Sequence, residues 1–301
     1  MPSISPPDDP GIVSPGTLYV VATPIGNPLD ITLRALAVLR AVDSVAAEDT
    51  RETGKLLAAH DIRTPQQAYH EHNEEQRTPV LLKQLAGGAS IALVSDAGTP
   101  TVSDPGYRLI RAAGAAGIPV VPVPGVSAAL TALSVSGLPT DRFHFVGFLA
   151  KKAGHQREQL RQLAEETATM VFFESPRRVI GLLTTLAQSF GDREAVLGRE
   201  MTKRHEEFIR GTLRHIAAVL GQRAAVKGEC TLLVAGRAGA EVLPAEELDA
   251  AIRQRLADGQ PASAVARDLA KASGMRRAAV YERVIHISKD REAPSAEPSR
   301  Q

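Results

Sequence analysis

Three short loops carry the side chains best placed for chemistry. They are Thr23-Pro24-Ile25-Gly26-Asn27, the long segment Ser95-Asp96-Ala97-Gly98-Thr99-Pro100-Thr101-Val102-Ser103-Asp104-Pro105-Gly106, and Val123-Pro124-Gly125-Val126-Ser127-Ala128. Each follows a short apolar run and precedes a helical pattern, the place where open α/β sheets hold their ligands. In the long loop Gly98, Gly106, Pro100 and Pro105 impose an unusual backbone path. Asp96, Thr99, Ser103 and Asp104 there offer acceptors to an amine or to ribose hydroxyls. Any one such loop also reads as a rigid turn with Asp and Ser as caps. Three of them at strand carboxyl ends favour a small-molecule pocket. None has the spacing G-x-G-x-x-G or G-x-x-x-x-G-K-[ST], so the fingerprints of a dinucleotide or nucleoside triphosphate site are missing.

The elements that must position these loops alternate. Apolar, β-branched runs at Thr17 to Ala22, Ser44 to Ala47, Ser90 to Ser95 and Pro119 to Val123 predict strands. Helical patterns cover Thr50 to His60, Tyr107 to Ala116 and Val126 to Val135. Another starts at Asn27, with Asn27 as N-cap, Pro28 at the first position and Asp30 in the first turn, and buries Leu33, Leu36, Ala37, Val38 and Leu39. This alternation predicts a parallel sheet flanked by helices. After Gly137-Leu138-Pro139, strands at Phe143 to Leu149, Thr169 to Phe173, Ala195 to Gly198 and Cys230 to Ala235 predict a second α/β domain. Helices at Arg157 to Glu166 and Arg177 to Phe190 belong to it, as does a basic loop, Lys151 to His155. Past Ala238-Gly239-Ala240 come Ala-rich helices at Pro244 to Ala257, Ala262 to Ser273 and Arg276 to Ile287. Ala264 to Ala270, Gly274 and Val280-Tyr281 have helix-turn-helix spacing, which a plain helical hairpin would share. The expected organisation is a disordered N-terminus (1–15), an N-terminal α/β domain (16–136), a C-terminal α/β domain (137–241), a helical module (242–290) and a disordered tail (291–301).

Composition narrows the partners. The 301 residues are 44% hydrophobic, enough for more than one core. No apolar run reaches the roughly 18 to 20 residues of a membrane span and the N-terminus lacks a signal-peptide pattern, so a cytoplasmic protein without membrane association is expected. Cys230 is the only cysteine, which excludes an intrachain disulfide and a cysteine-cluster metal site; no metal ligands are assigned. The net charge of +1 hides an excess of basic residues between Arg253 and Lys289, eight against three acids, which suits a polyanion or a solvated helical face.

Taken together, TPIGNPLDITLRAL from Thr23, AEDTRETGKLL from Ala47, SDAGTPTVSDPG from Ser95, VPGVSAALTALSVSGLPTDRFHFVGFL from Val123, FFESPRRV from Phe172 and GREMTKRHEE from Gly198 resemble the bacterial small-subunit rRNA cytidine 2′-O-methyltransferases. These belong to the tetrapyrrole-methylase-like, class III methyltransferases. The similarity spans nearly all of Thr17 to His286, with the blocks in family order. It implies two α/β domains with the cofactor cleft between them, a small C-terminal helical module, and a homodimer. It implies S-adenosyl-L-methionine as cofactor and, as acceptor, a cytidine ribose in the decoding region of 16S rRNA within the small ribosomal subunit. Carried over residue by residue, the cofactor site is Pro24, Ile25, Gly26, Asp96, Ala97, Gly98, Thr99, Ser127 and Ala128. One departure is Ala150, where the family pattern after FVGFL has proline.

Methyl transfer to a ribose hydroxyl needs in-line alignment, exclusion of water, and a base or a cation for the developing alkoxide. Glu48 or Glu174 is the candidate acid/base or orienting group, and Lys203 or Arg204 the candidate alkoxide stabiliser. Each also has a structural reading: Glu48 pairing with Arg51, or Glu174 and Ser175 capping the helix that Arg177 and Arg178 open. His205 reads as a surface residue, Cys230 as buried strand filler. Lys151 to Arg157, Lys203 to His205, and Arg276 with Arg277 are basic surfaces for an RNA backbone. The competing readings are a class III methyltransferase for a porphyrinoid or protein acceptor, a non-enzymatic sensor that binds a small ligand and nucleic acid, and a dehydrogenase, which the missing dinucleotide fingerprint disfavours.

Overall fold

The computed structural model describes residues 11–237, 245–273, 275 and 277–292. The Ala238-Gly239-Ala240 boundary, Gly274, Arg276 and most of both terminal segments expected to be disordered lie outside the described residues.

Short β-branched and small-residue runs build the first sheet. Leu18–Val21 (β1), Ser44–Ala47 (β2), Gln66–Ala68 (β3), Ile91–Val94 (β4) and Val120–Val123 (β5) pair in parallel in the order β3-β2-β4-β1-β5. Leu33–Ala41 (α1), Thr50–Ala59 (α2), Glu74–Ala86 (α3) and Tyr107–Ala115 (α4) connect them, and Ala128–Ser134 (α5) follows β5. Alternate residues of each strand feed opposite layers, as the twofold period of a strand requires. Tyr19, Val21, Val45 and Ala92 pack with Val38 and Leu39 on one side. Leu18, Ala46, Ile91 and Leu93 pack with Leu81, Leu85 and Leu109 on the other. The single helix expected from Asn27 is instead two pieces. Asn27 accepts a hydrogen bond from the Leu29 amide and caps a 3-10 turn, Pro28–Asp30. Ile31 is then extended, and Thr32 opens α1 by accepting from the Ala35 amide at 3.1 Å. A second good N-cap residue five positions downstream competes with continuation of the first turn.

The second sheet is mixed. Phe143–Gly147 (β6), Thr169–Glu174 (β7), Glu194–Arg199 (β8), Glu207–Thr212 (β9) and Cys230–Val234 (β10) run in the order β6-β7-β10-β8-β9, parallel only between β6 and β7. Ala153–Leu163 (α6), Val179–Phe190 (α7) and Leu213–Gly221 (α8) supply helices. The end of the expected basic loop is therefore helical: α6 begins at Ala153, not Arg157. Leu160, Leu183, Leu186, Ile216 and Leu220 cover Met170, Phe172, Leu197 and Leu232 on one face. The other face presents Val171, Val196 and Leu233 to Ala129, Ala132 and Leu133 of α5, and to Ile25. Helix α5, which follows the last strand of the first sheet, thus packs on the second, and with Ile25 it brings the loops of the first against the strands of the second.

From Gly236 onward a separate compact unit contains Ala245–Ala257 (α9), Ala262–Ser273 (α10) and Arg277–Glu292 (α11). Its own core joins Leu248, Ile252, Val265, Ala266, Leu269, Val280 and Val284, and Arg283 pairs with Asp249. Among the described residues no helix is long and apolar enough to cross a membrane.

Candidate active site

Hydrogen bonds stitch the three sequence loops into one floor. The Thr23 amide donates to the Gly98 carbonyl at 2.8 Å and the Gly98 amide returns a bond to the Thr23 carbonyl at 3.0 Å. The Thr23 hydroxyl donates to the Ser95 carbonyl at 3.1 Å, and the Thr99 hydroxyl to the Val126 carbonyl at 3.0 Å. Gly98 makes this bridge at φ +82°, a conformation that L side chains resist.

Above this floor lies a cavity of about 450 Å³, between the loops of the first sheet and the strand ends of the second. Ile25, Asp96, Ala97, Gly98, Thr99, Ser127 and Ala128 line it, as do the candidate carboxylates Glu48 and Glu174. The same lining contains Asp104, Phe148, Phe173, Met201 and Cys230. Pro24, Gly26, Lys203 and Arg204 are not in it. Gly26 sits against Lys203 so closely that an added Cβ would come within 2.4 Å of the Lys203 Cγ. The Asn27 amide donates to the Thr202 hydroxyl at 3.0 Å, which ties the first loop to the segment after β8. Lys203 is held by ion pairs with Glu200 at 3.0 Å and Glu229 at 3.2 Å. Arg204 is exposed.

Glu48 does not pair with Arg51. That guanidinium pairs with Asp49 at 2.5 Å, because Asp49 caps α2 and lies two residues away. Glu48 instead accepts from the Asp96 amide at 3.3 Å, while Asp96 accepts from the Asp49 amide at 2.9 Å. Glu174 is buried and spoken for: it accepts from the Ser175 amide at 2.7 Å and pairs with Arg178 at 2.6 Å. Burial first, and after it the charge of Asp96, raise the Glu48 carboxyl above its ordinary value, and burial with the charges of Asp49 and Glu52 raises Asp96. The same causes, burial and then the charge of Glu48, push Asp104 up to about 7. Burial holds the Cys230 thiol up at about 11, so it stays neutral and unreactive.

Strain gathers on the same rim. Thr101 (φ 74°) and Ser103 (φ 72°) in the long loop, and Glu200 (φ 51°) and Thr202 (φ 64°) in the loop after β8, occupy the left-handed region. Next door, a second cavity of about 650 Å³ shares Glu48, Ser103 and Asp104 with the first and extends along α4 to Tyr107, Arg108 and Arg111. The sequence did not disclose the aromatic wall of Phe148 and Phe173, both of which read there only as strand residues; in the structure β6 ends at Gly147, which leaves Phe148 to the cavity.

An acidic, half-apolar cavity of this size suits a cationic ligand with a flat ring. Glu48, Asp96 and Asp104 repel one another until a positive charge enters, and Phe148, Phe173 and Met201 offer apolar surface to the ring.

Comparisons with known proteins agree with this geometry. The family model for tetrapyrrole (corrin/porphyrin) methylases matches residues 17–217. A protein of Micromonospora olivasterospora named ribosomal RNA small subunit methyltransferase I is 46% identical, covering 93% of this chain and 89% of its own. The protein of that name from Mesorhizobium japonicum is 48% identical over 90% of this chain and 92% of its own. Among solved structures, a uroporphyrin-III C-methyl transferase of Thermus thermophilus, complexed with S-adenyl homocysteine, superposes with a TM-score of 0.52 at 24% identity, covering 72% of this chain and 96% of its own. That last likeness speaks to the fold alone.

Proposed function

The chain belongs to the tetrapyrrole (corrin/porphyrin) methylase family, in the group of the ribosomal RNA small subunit methyltransferases I, and from that membership we propose that it methylates small-subunit rRNA. The donor is S-adenosylmethionine and the acceptor a cytidine ribose 2′-hydroxyl in the decoding region, presented by the assembled small subunit. The observation that carries this reading is the acidic 450 Å³ cavity, whose lining holds most of the residues expected to bind the donor. When bound there, the sulfonium supplies an electrophilic methyl carbon.

The chain's own residues do the rest. The Thr23–Gly98 bridge and the Thr99 bond to Val126 preset the loop backbone, so little ordering entropy is lost on binding. Glu48 positions the Asp96 amide and adds negative charge beside the cationic ligand. Glu174, fixed by Arg178, orients rather than moves a proton, and Lys203, fixed by Glu200 and Glu229, latches the rim rather than meeting an alkoxide. Phe148 and Phe173, packed edge to face with centroids 5.8 Å apart, exclude water from the reacting atoms. The homodimer implied by the family resemblance is part of the same proposal, as are the cytoplasmic location and the division of the first 241 residues into two α/β domains.

The test is transfer of radiolabel from S-adenosylmethionine to naked 16S rRNA and, in parallel, to small subunits from a strain lacking the gene. Label confined to one cytidine ribose of the small subunit is the expected result. Tight donor binding with no label on either RNA sinks the rRNA reading and favours a porphyrinoid or protein acceptor, or a sensor.

A further inference from the structure

Outside the donor cavity, α4 carries a surface that the chemistry above leaves unused. Tyr107, Arg111 and Ala115 stand four residues apart, so they share one face of the helix, and all three line the 650 Å³ cavity. None of them lines the 450 Å³ cavity. We propose that this face, together with Lys151 and Lys152 on the opposite lip of the cleft, holds the RNA strand flanking the acceptor nucleotide, with Tyr107 stacked on a base and the cations on phosphates. The inference rests on the reading above, in which small-subunit RNA is the substrate, and it names where that RNA is gripped.

The two lips meet at one close contact. Gly147, at the end of β6 with φ +68°, lies so near the β4–α4 loop that an added Cβ would come within 2.9 Å of the Ser103 Oγ. Phe148 follows and lines the donor cavity, and the Ala150 amide then donates to the Gln159 side-chain oxygen at 2.9 Å, which fixes the turn into α6. Lys151 and Lys152 come next and are both exposed. Tyr107 is four residues from Ser103, and Lys151 four from Gly147, at most about 14 Å of extended chain on either side. One strand running past the mouth of the cleft can therefore touch both lips.

Charge is graded along the larger cavity. At its inner end Glu48 and Asp104 belong to the donor site and face its cationic ligand. On the α3 side Glu74 is paired with Arg108 at 3.4 Å, which leaves Glu71, an exposed acid. Arg111 is exposed on the α4 side, one turn beyond Tyr107. Phosphates are thus repelled from the inner end and drawn to the outer one, which turns the sugar edge of the strand toward the donor.

Stacking answers a need of the reaction. A ribose hydroxyl must line up with the methyl carbon and its sulfur, and a nucleotide drawn out of its stack has the freedom to do so. The neighbouring base then loses its stacking partner. Tyr107, 68% exposed at the start of α4, offers a replacement, since stacking asks only for a π face and reads no sequence. The grip is independent of sequence on the cationic side as well, because phosphates carry no base identity.

The experiment measures binding of full-length chains to small subunits lacking the modification, over a series of salt concentrations, with affinity for S-adenosylmethionine measured separately by calorimetry. Tyr107→Ala is expected to weaken small-subunit binding by roughly tenfold, the loss of one stacked base, and Tyr107→Trp to keep it at the wild-type level. Arg111→Gln is expected to lower the slope of log affinity against log salt by about 0.7, and Lys151→Gln with Lys152→Gln by about 1.4, for one and two phosphates of a single strand. Donor affinity is expected to be unchanged in every variant, because none of these side chains lines the donor cavity. Wild-type binding by Tyr107→Ala overturns the stacking role, and so does a Tyr107→Trp chain that binds no better than Tyr107→Ala, the result expected of a contact with ribosomal protein. Unchanged salt slopes overturn the phosphate contacts. Loss of donor affinity assigns the face to the donor site and overturns the proposal as a whole. If wild type neither binds nor labels any small subunit, the rRNA reading itself has failed, a result distinct from all of these.

Discussion

At the scale of single residues, Gly98 and Asp104 carry the sharpest consequences. Gly98 combines φ +82° with a side-chain position 3.4 Å from the Ile25 Cγ2, so Gly98→Ala faces left-handed strain of about 1–2 kcal/mol. In a chain this size that loss lowers Tm by roughly 2–4 °C per kcal/mol in a thermal melt. Donor affinity is expected to fall with it, since the Thr23 bridge must distort. Asp104 works in the opposite direction. Its folded-state pKa of about 7 lies above the ordinary carboxylate value, so the folded chain binds more protons than the unfolded one across that window. Its contribution to stability is therefore lost as pH rises from about 4 through 7. Asp104→Asn should accordingly melt above wild type at pH 8, with the gap closing toward pH 4, while activity falls; a gap that stays constant with pH refutes the shifted carboxyl.

At the scale of elements, the loop joining β4 to α4 is the decisive piece. Its positions at Thr101, Ser103 and Gly106 all have positive φ, and Gly106 packs on Leu93 beneath the sheet. Gly106→Ala adds a Cβ 2.7 Å from the Leu93 Cδ2, with overpacking and backbone strain together costing about 2 kcal/mol or more. The urea midpoint should drop at unchanged m value. Among elements, strong local signals were legible: β1, β2, β4, β5, β7 and β10 follow apolar runs, and α2, α4, α7 and α9 follow clear periodicity or caps. The polar strand Gln66–Ala68 was not, because it has no apolar alternation, and its backbone ladder with β2 and the Gln67 side-chain bonds to Ser44 and Gln84 form only on folding. Helix α3 was not read from the sequence either, since Pro79 inside it argues against a continuous helix. Strand β9 and helix α8 were likewise missed, since β9 alternates weakly and carries Glu207, a half-buried acid whose carboxyl Arg223 and then Arg199 hold down at about 2.

At the scale of the whole molecule, the helical unit from Gly236 carries Arg253, Arg267 and Arg277 exposed on its surface. If these contact RNA phosphates, replacing all three with Gln should reduce the slope of log affinity against log salt for small subunits by about 2–3, leaving donor affinity unchanged. An unchanged slope removes the unit from the RNA contact. The sequence by itself determined the family, the alternation that makes a parallel first sheet, and the three loops, because apolar period, glycine and proline act over a few residues and survive any tertiary arrangement. Only the tertiary structure decided which charged residues face the cleft. Glu48 and Glu174 reach it while Lys203 and Arg204 do not, Arg51 chooses Asp49, and Asp104 lands at the seam of two cavities. Those outcomes depend on which side chains meet across distances of dozens of residues, and local spacing does not encode them.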